Sequence, residues 1–135
     1  MTLQDISDKL EINELLAHYC YVLDQKDWEA FGTIFVSDAV LDFTAFGGPK
    51  GSPAERQDFF TLILNGLAST QHIVSIIKID LAGDNAAAWS AAIVPMTAKA
   101  PDGKESTFAS GLWYEDNLVQ THGGWKNNSQ TQVRS

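Results

Sequence analysis

Residues 18–28, H-Y-C-Y-V-L-D-Q-K-D-W, are the stretch from which the rest of the chain can be interpreted. They run off the end of an apolar helical pattern and carry one acid in its last turn, Asp24. A carboxylate is unfavourable there, because the carbonyl end of a helix carries partial negative charge. Steps of three or four residues back from Asp24 meet Cys20, Ala17, Asn13, Leu10 and Ile6. We therefore expect Asp24 to face inward, held by a cation, a hydrogen-bond donor or a functional role.

Composition limits the classes of partner. The chain has 135 residues, 44% of them hydrophobic, which predicts one domain over residues 1–135. A formal charge of -8 and a pI near 4.6 disfavour nucleic acid and anionic membranes, which need clustered basic side chains. The only cysteine, Cys20, excludes an internal disulfide and a cysteine-based zinc site. With no apolar leader or membrane-length run, we expect a cytoplasmic protein.

The first half of the chain has helical periodicity. Apolar residues recur at helical spacing over 4–23, and Asp27 is placed to cap a short second helix. A strand is predicted over 39–44. Ser52-Pro53-Ala54-Glu55 is a capping box that opens a third helix, ending near residue 67.

The second half alternates with a period of two. Strands are predicted over 71–81, 86–98 and 106–119, followed by a last strand that holds Trp125 and Val133. Turn sequences rich in Gly, Asp and Asn separate them. Helices followed by an antiparallel meander indicate the α+β class, with the helices packed on one face of a curved sheet.

Two residues could form a general base. Of the three histidines, His18 lies opposite the predicted inward helix face and His122 lies in a turn, whereas His72 opens a strand and faces the apolar side. A carboxylate such as Asp24 can fix the tautomer of an imidazole and stabilise its cation, while the free nitrogen takes a proton. The pattern alone leaves the alternatives open, since a lone His is commonly a core residue and a lone Asp a cap.

Other chemistries have little support in the sequence. There is no dinucleotide-binding or phosphate-binding glycine loop, and the acids and histidines lack metal-ligand spacing, so we expect no cofactor and no metal. Large apolar side chains belong to a core by default, but some can line a substrate pocket. The residues predicted for that pocket are Tyr21, Cys20, Phe43, Phe59, Phe60, Met96, Phe108 and Trp113.

The order of short motifs carries a family resemblance. The pieces are Leu23-Asp24 with Asp27-Trp28, Phe35 and Asp38-Ala39, Gly51, Gln71-His72, Gly83-Asp84 with Ala86, Gly111 with Tyr114, and Gly124-Trp125-Lys126. Together they resemble the SnoaL-like branch of the nuclear transport factor 2 (NTF2) superfamily, and most closely its scytalone dehydratase and hexachlorocyclohexane dehydrochlorinase group. The resemblance covers nearly the whole chain. It implies a cone-shaped, curved antiparallel sheet wrapped around three N-terminal helices, with a catalytic Asp and His at Asp24 and His72.

The resemblance also implies a function. It predicts a cofactor-independent lyase, a dehydratase or dehydrohalogenase, that acts on a small apolar substrate. The alternatives are an isomerase or cyclase on the same fold and a non-catalytic binding or dimerisation module. The residue that would stabilise the leaving group is not identified, because the predicted first strand has Leu41 and Phe43 where a tyrosine could donate a hydrogen bond. Candidate donors elsewhere in the chain are Tyr21, Tyr114, Trp113 and Asn13.

We also expect a homodimer or homotrimer, since members of the group form such assemblies. The sheet residues predicted to supply an apolar outer face are Ile73, Ile77, Ile79, Ala91 and Ile93.

Overall fold

The computed structural model describes residues 1–46, 48 and 50–134, and all of their side chains except those of Phe46, Ile76 and Ile77. Within them, helices pack on one face of a large curved sheet that does not close into a barrel. None of the described helices is long and apolar enough to cross a membrane.

Helix α1, Leu3–Gln25, is the longest helix. Thr2 caps its start through a reciprocal capping box with Asp5, and it ends at Lys26, whose left-handed conformation (φ 57°) turns the chain away. The predicted helix is confirmed, but the predicted inward face is wrong along most of its length. Ile6, Leu10 and Ala17 are exposed. The buried face instead consists of Asp8, Ile12, Leu16, Tyr19, Cys20, Val22 and Leu23.

Two shorter helices follow. Helix α2, Trp28–Phe31, begins after Asp27, whose side chain accepts a hydrogen bond from the Ala30 backbone. Helix α3, Pro53–Asn65, begins at Ser52 with the predicted capping box to Glu55. Both caps are therefore confirmed. A 3-10 turn, Thr44–Phe46, lies between the two helices.

Within the described part of the chain, the sheet has seven strands. They are β1 Phe35–Asp42, β2 Lys50–Gly51, β3 Ser69–Thr70, β4 Ile73–Ala82, β5 Asn85–Lys99, β6 Glu105–Thr121 and β7 Gly124–Arg134. The order is β2-β1-β7-β6-β5-β3, and β4 also pairs with β5. Strands β4 to β7 form the predicted antiparallel meander.

Strand β1 corrects the expectation of a purely antiparallel sheet. It pairs parallel with β7, so the sheet is mixed. The turns of a meander fix the direction only of strands that follow one another. Because β1 and β7 come from opposite ends of the chain, no turn sequence specified their relative direction.

One irregularity in β4 affects the predicted outer face. Ile73 and Ile93 are paired neighbours and both are exposed, as expected. The pairing of β4 with β5 shifts between Ile76 and Lys78, and beyond the shift Ile79 packs partly buried against the core. An extra residue of this kind reverses the alternation of side chains, so Ile79 was assigned to the wrong face. The side chain of Ile77 lies outside the described part of the structure.

Candidate active site

Asp24 and His72 are in direct contact. The Nδ1 atom of His72 lies 2.6 Å from Oδ1 of Asp24, and the His72 backbone N–H donates to Oδ2 at 2.8 Å. The Thr70 hydroxyl donates to Oδ1 at 3.0 Å. Asp24 belongs to the last turn of α1, whereas Thr70 and His72 flank the join between β3 and β4. These donors explain how an acid is tolerated at the carbonyl end of a helix.

The environment fixes the protonation state of Asp24. Its side chain is 17% exposed and that of His72 is 9% exposed. Partial burial raises the pKa of Asp24, but hydrogen bonds from the His72 ring, the His72 backbone and Thr70 outweigh it and hold the pKa below 3.8. At neutral pH the carboxylate only accepts hydrogen bonds, so the proton of a neutral His72 ring sits on Nδ1. Its Nε2 is then the free acceptor.

His72 lines a mainly apolar cavity of about 210 Å³. The cavity lies between α3 and the inner face of the sheet, with half-exposed Ile63 at its edge. Its described lining consists of Leu23, Phe59, Phe60, Ile63, Leu64, His72, Val94, Met96, Ser110, Leu112, Tyr114 and Gln132. Two larger depressions, of about 390 and 430 Å³, lie along α1 and include neither Asp24 nor His72.

Besides His72, three polar residues interrupt the described apolar lining. Tyr114 and Gln132 are direct neighbours on β6 and β7, so their side chains share the inner face. Ser110 lies on the same face of β6, nearer to the end of the cavity that holds His72. Burial, with smaller contributions from the neighbouring titratable groups of Cys20 and Asp116, raises the pKa of Tyr114 well above 10, so its phenol is neutral.

The predicted pocket residues divide into three groups. Phe59, Phe60 and Met96 line the cavity. Phe43 and Cys20 are buried in the core behind it, with the Phe43 ring 5.0 Å from that of Phe60. Burial raises the pKa of the Cys20 thiol to about 12, so it is no nucleophile at neutral pH.

Three predicted pocket residues are wrong. Tyr21, Phe108 and Trp113 are 62%, 51% and 40% exposed. Tyr21 lies on the outward side of α1, and Trp113 faces outward because its neighbours Leu112 and Tyr114 face the cavity. Phe108 shares the inner face with Ser110 but does not reach the cavity.

Sequence reasoning missed part of the site. Thr70, Ser110 and Gln132 were not singled out, and Tyr114 appeared only as one possible donor. Period-two alternation along β6 could have placed Ser110 and Tyr114 on one face. The partnership of Tyr114 with Gln132 depends on strand register. Another possible donor, Asn13, instead donates to the Lys9 carbonyl.

Within the described residues, the His, Cys, Asp and Glu side chains form no group of three that could hold a metal ion. The described cavity lining likewise contains no lysine or arginine.

Comparison with known proteins places the chain in a family context. Residues 4–129 match the model of the SnoaL-like domain. The uncharacterized protein Rv2910c of Mycobacterium tuberculosis is 30% identical over 126 residues, which cover 93% of this chain and 84% of that protein.

Solved structures share the fold. One from Novosphingobium aromaticivorans, named "Putative Scytalone Dehydratase", has a TM-score of 0.88 at 20% identity and covers 100% of this chain and 89% of its own. A "putative dehydratase from the NTF2-like family" of Streptomyces avermitilis has a TM-score of 0.83 at 12% identity, over 96% and 97% of the two chains. A "putative aromatic ring hydroxylase" from N. aromaticivorans has a TM-score of 0.77 at 26% identity, over 96% and 90%.

Proposed function

The chain belongs to the SnoaL-like domain family, and from that premise we propose that it is a cofactor-independent lyase acting on a small, largely apolar substrate. The observation that carries the proposal is the contact between Asp24 and His72 at the wall of the cavity. The names of two neighbours of the same fold, both dehydratases by name, support the reaction class.

His72 is the proposed base. With Nδ1 donating to Asp24, Nε2 takes a proton from the carbon next to a substrate carbonyl. The electron pair of that C–H bond is delocalised onto the carbonyl oxygen. Asp24 stabilises the imidazolium that forms, because an ionised carboxylate favours the charged form of its neighbour.

Elimination completes the reaction. The electron pair returns to form a carbon–carbon double bond as the bond between the β carbon and its hydroxyl breaks. The proton on Nε2 passes to the departing oxygen, so that one substrate gives one enone and one water. His72 is then neutral again and no external reagent is consumed.

The experiment uses β-hydroxy ketones of one or two rings as substrates and follows the absorbance of the conjugated product. We expect His72→Gln to lower kcat/KM by about 10²- to 10⁴-fold, and Asp24→Asn by about 10²-fold, with both variants folded. The matched control is His18→Gln, which removes an exposed histidine of α1. Equal activity of His72→Gln and His18→Gln would contradict the proposal.

A second candidate is an isomerase or cyclase that proceeds through the same enolate. The neutral phenol of Tyr114 inside the cavity favours it, since such a donor stabilises an oxyanion without any leaving group. Mass spectrometry separates the two reactions, because elimination removes one water from the substrate and isomerisation conserves its mass.

A further inference from the structure

The cavity has an inner end, formed by Tyr114 and Gln132, whose polar groups can hydrogen-bond to a ligand. Tyr114 is 3% exposed, and its hydroxyl forms no hydrogen bond with any residue that the structure describes. A polar group in a mainly apolar cavity favours a ligand that can hydrogen-bond to it, because an unpaired hydroxyl costs free energy there. Its ring is held edge-on against Tyr19, with centroids 5.9 Å apart, so the hydroxyl has a fixed position.

Gln132 extends this polar end. It is the direct neighbour of Tyr114 across β6 and β7, with side chains about 5 Å apart at Cβ. It also lies close to the Tyr19 hydroxyl, whose pKa burial raises and Gln132 partly lowers. The Tyr19 hydroxyl is itself fully buried and forms no hydrogen bond of standard geometry with the described residues. Gln132 lines the cavity, so its amide remains available to a ligand.

The surrounding charge disfavours an anion at this end of the cavity. The described lining has no lysine or arginine, and Asp24 is ionised at its other end. Asp116, buried close to Tyr114, adds further negative character, and the whole chain carries a formal charge of -8. A substrate carboxylate would meet no lysine or arginine in the described lining, so the donors suit a neutral oxygen.

Cavity size limits the ligand. A volume of about 210 Å³ is below the roughly 300–1,000 Å³ of drug-sized pockets and above the roughly 150 Å³ cavity that takes benzene. A molecule of one or two rings fits this range.

We propose that Tyr114 and Gln132 together bind a neutral carbonyl oxygen, and that the site selects uncharged ketones of one or two rings over anions and hydrocarbons. This inference rests on the proposed function, in which the same carbonyl carries the negative charge of the enolate. Strands β6 and β7 thereby supply a polar contact that Leu41 in β1 and Phe43 just after it cannot offer.

Binding of three matched probes tests the inference without any turnover. By NMR titration, the ketone 1-tetralone should bind about 3- to 10-fold more tightly than the hydrocarbon tetralin, and 1-naphthoate should bind more weakly than either. Tyr114→Phe and Gln132→Leu should each remove most of the preference for the ketone while keeping tetralin affinity within about 2-fold. The control Tyr21→Phe removes a hydroxyl from an exposed tyrosine outside the cavity and should change nothing.

The outcomes separate this inference from the lyase proposal. Asp24→Asn disables the proposed base but should bind 1-tetralone as the wild type does, so lost elimination with retained ketone preference supports the binding assignment alone. If 1-tetralone fails to bind, if tetralin or 1-naphthoate binds as tightly, or if every variant that folds keeps the wild-type preference, the assignment of Tyr114 and Gln132 is overturned.

Discussion

The hydrogen bonds of Asp24 determine which nitrogen of His72 can accept a proton from a substrate. Thr70 and the His72 ring both donate to Oδ1, and the His72 backbone occupies Oδ2. The segment that carries His72 thus fixes the orientation of the Asp24 carboxylate. The contact between the two side chains therefore does not depend on the rotamer of Asp24 alone. The arrangement leaves Nε2 of His72 as the one ring atom available to a substrate.

Asp116 behaves differently from Asp24. Asp116 is fully buried, and its Oδ1 accepts hydrogen bonds from Asn127 at 2.7 Å and Gln130 at 3.0 Å. Burial raises the pKa of Asp116 to about 6, because the two amides only partly offset the loss of solvent.

Asp116 predicts a specific dependence of stability on pH. Between about pH 4 and 6 the folded protein holds a proton that the unfolded chain has lost, so this residue lowers the free energy of unfolding as pH rises through that window. Over that window, the ionisation of Asp116 lowers the free energy of unfolding by about 3 kcal/mol in total. In Asp116→Asn the contribution should vanish, so urea denaturation at pH 4 and pH 8 should show the variant gaining about that much relative to the wild type. A pH-independent difference would contradict the raised pKa.

At the scale of elements, the sequence predicted correctly those features that depend only on residues close together in the chain. The caps at Asp27 and Ser52 and the turns of the meander involve residues close in sequence, and each is confirmed. The face of α1 was misassigned because two stripes of that helix are apolar, and only the sheet decides which one is buried. The place of Gln132 likewise depends on a long-range contact, the register of β7 against β6. The sequence therefore predicted His72 as a site residue but did not identify Gln132.

Two leucines of α1 test which stripe is buried. Leu16 is 5% exposed and belongs to the core, whereas Leu10 is 60% exposed. Leu16→Ala should therefore lower the free energy of unfolding by about 2–5 kcal/mol, and Leu10→Ala by about 0.5 kcal/mol or less. Chemical denaturation of both variants measures the two losses. A larger loss for Leu10→Ala than for Leu16→Ala would show that the face predicted from the sequence is the buried one.

At the scale of the whole molecule, the outer face of the sheet is apolar across four strands. Ile73 and Ile93 are paired neighbours, 54% and 57% exposed, and exposed Trp113 and Val133 are paired on the next two strands. Patches of this kind on soluble proteins commonly mark association surfaces. We propose that this face joins copies of the chain in a homodimer or homotrimer.

A charge in the patch tests the proposed assembly. In analytical ultracentrifugation the wild type should sediment as a dimer or trimer, and Ile93→Glu as a monomer, because burying an unpaired carboxylate at an interface is costly. Leu3→Glu, at the exposed start of α1, should keep the wild-type assembly. A monomeric wild type would rule the interface out.

The most direct test of the central claim, that His72 is a base acting on carbon, is deuterium exchange of 1-tetralone in D₂O. The hydrogens next to its carbonyl exchange only when a base removes them, so proton NMR detects the proposed step without the true substrate. The wild type and the His18→Gln control should accelerate the exchange over buffer, Asp24→Asn should do so weakly, and His72→Gln should lose about 10²-fold or more of the catalysed rate. Exchange at the buffer rate in the wild type, or undiminished exchange in His72→Gln, would contradict the account.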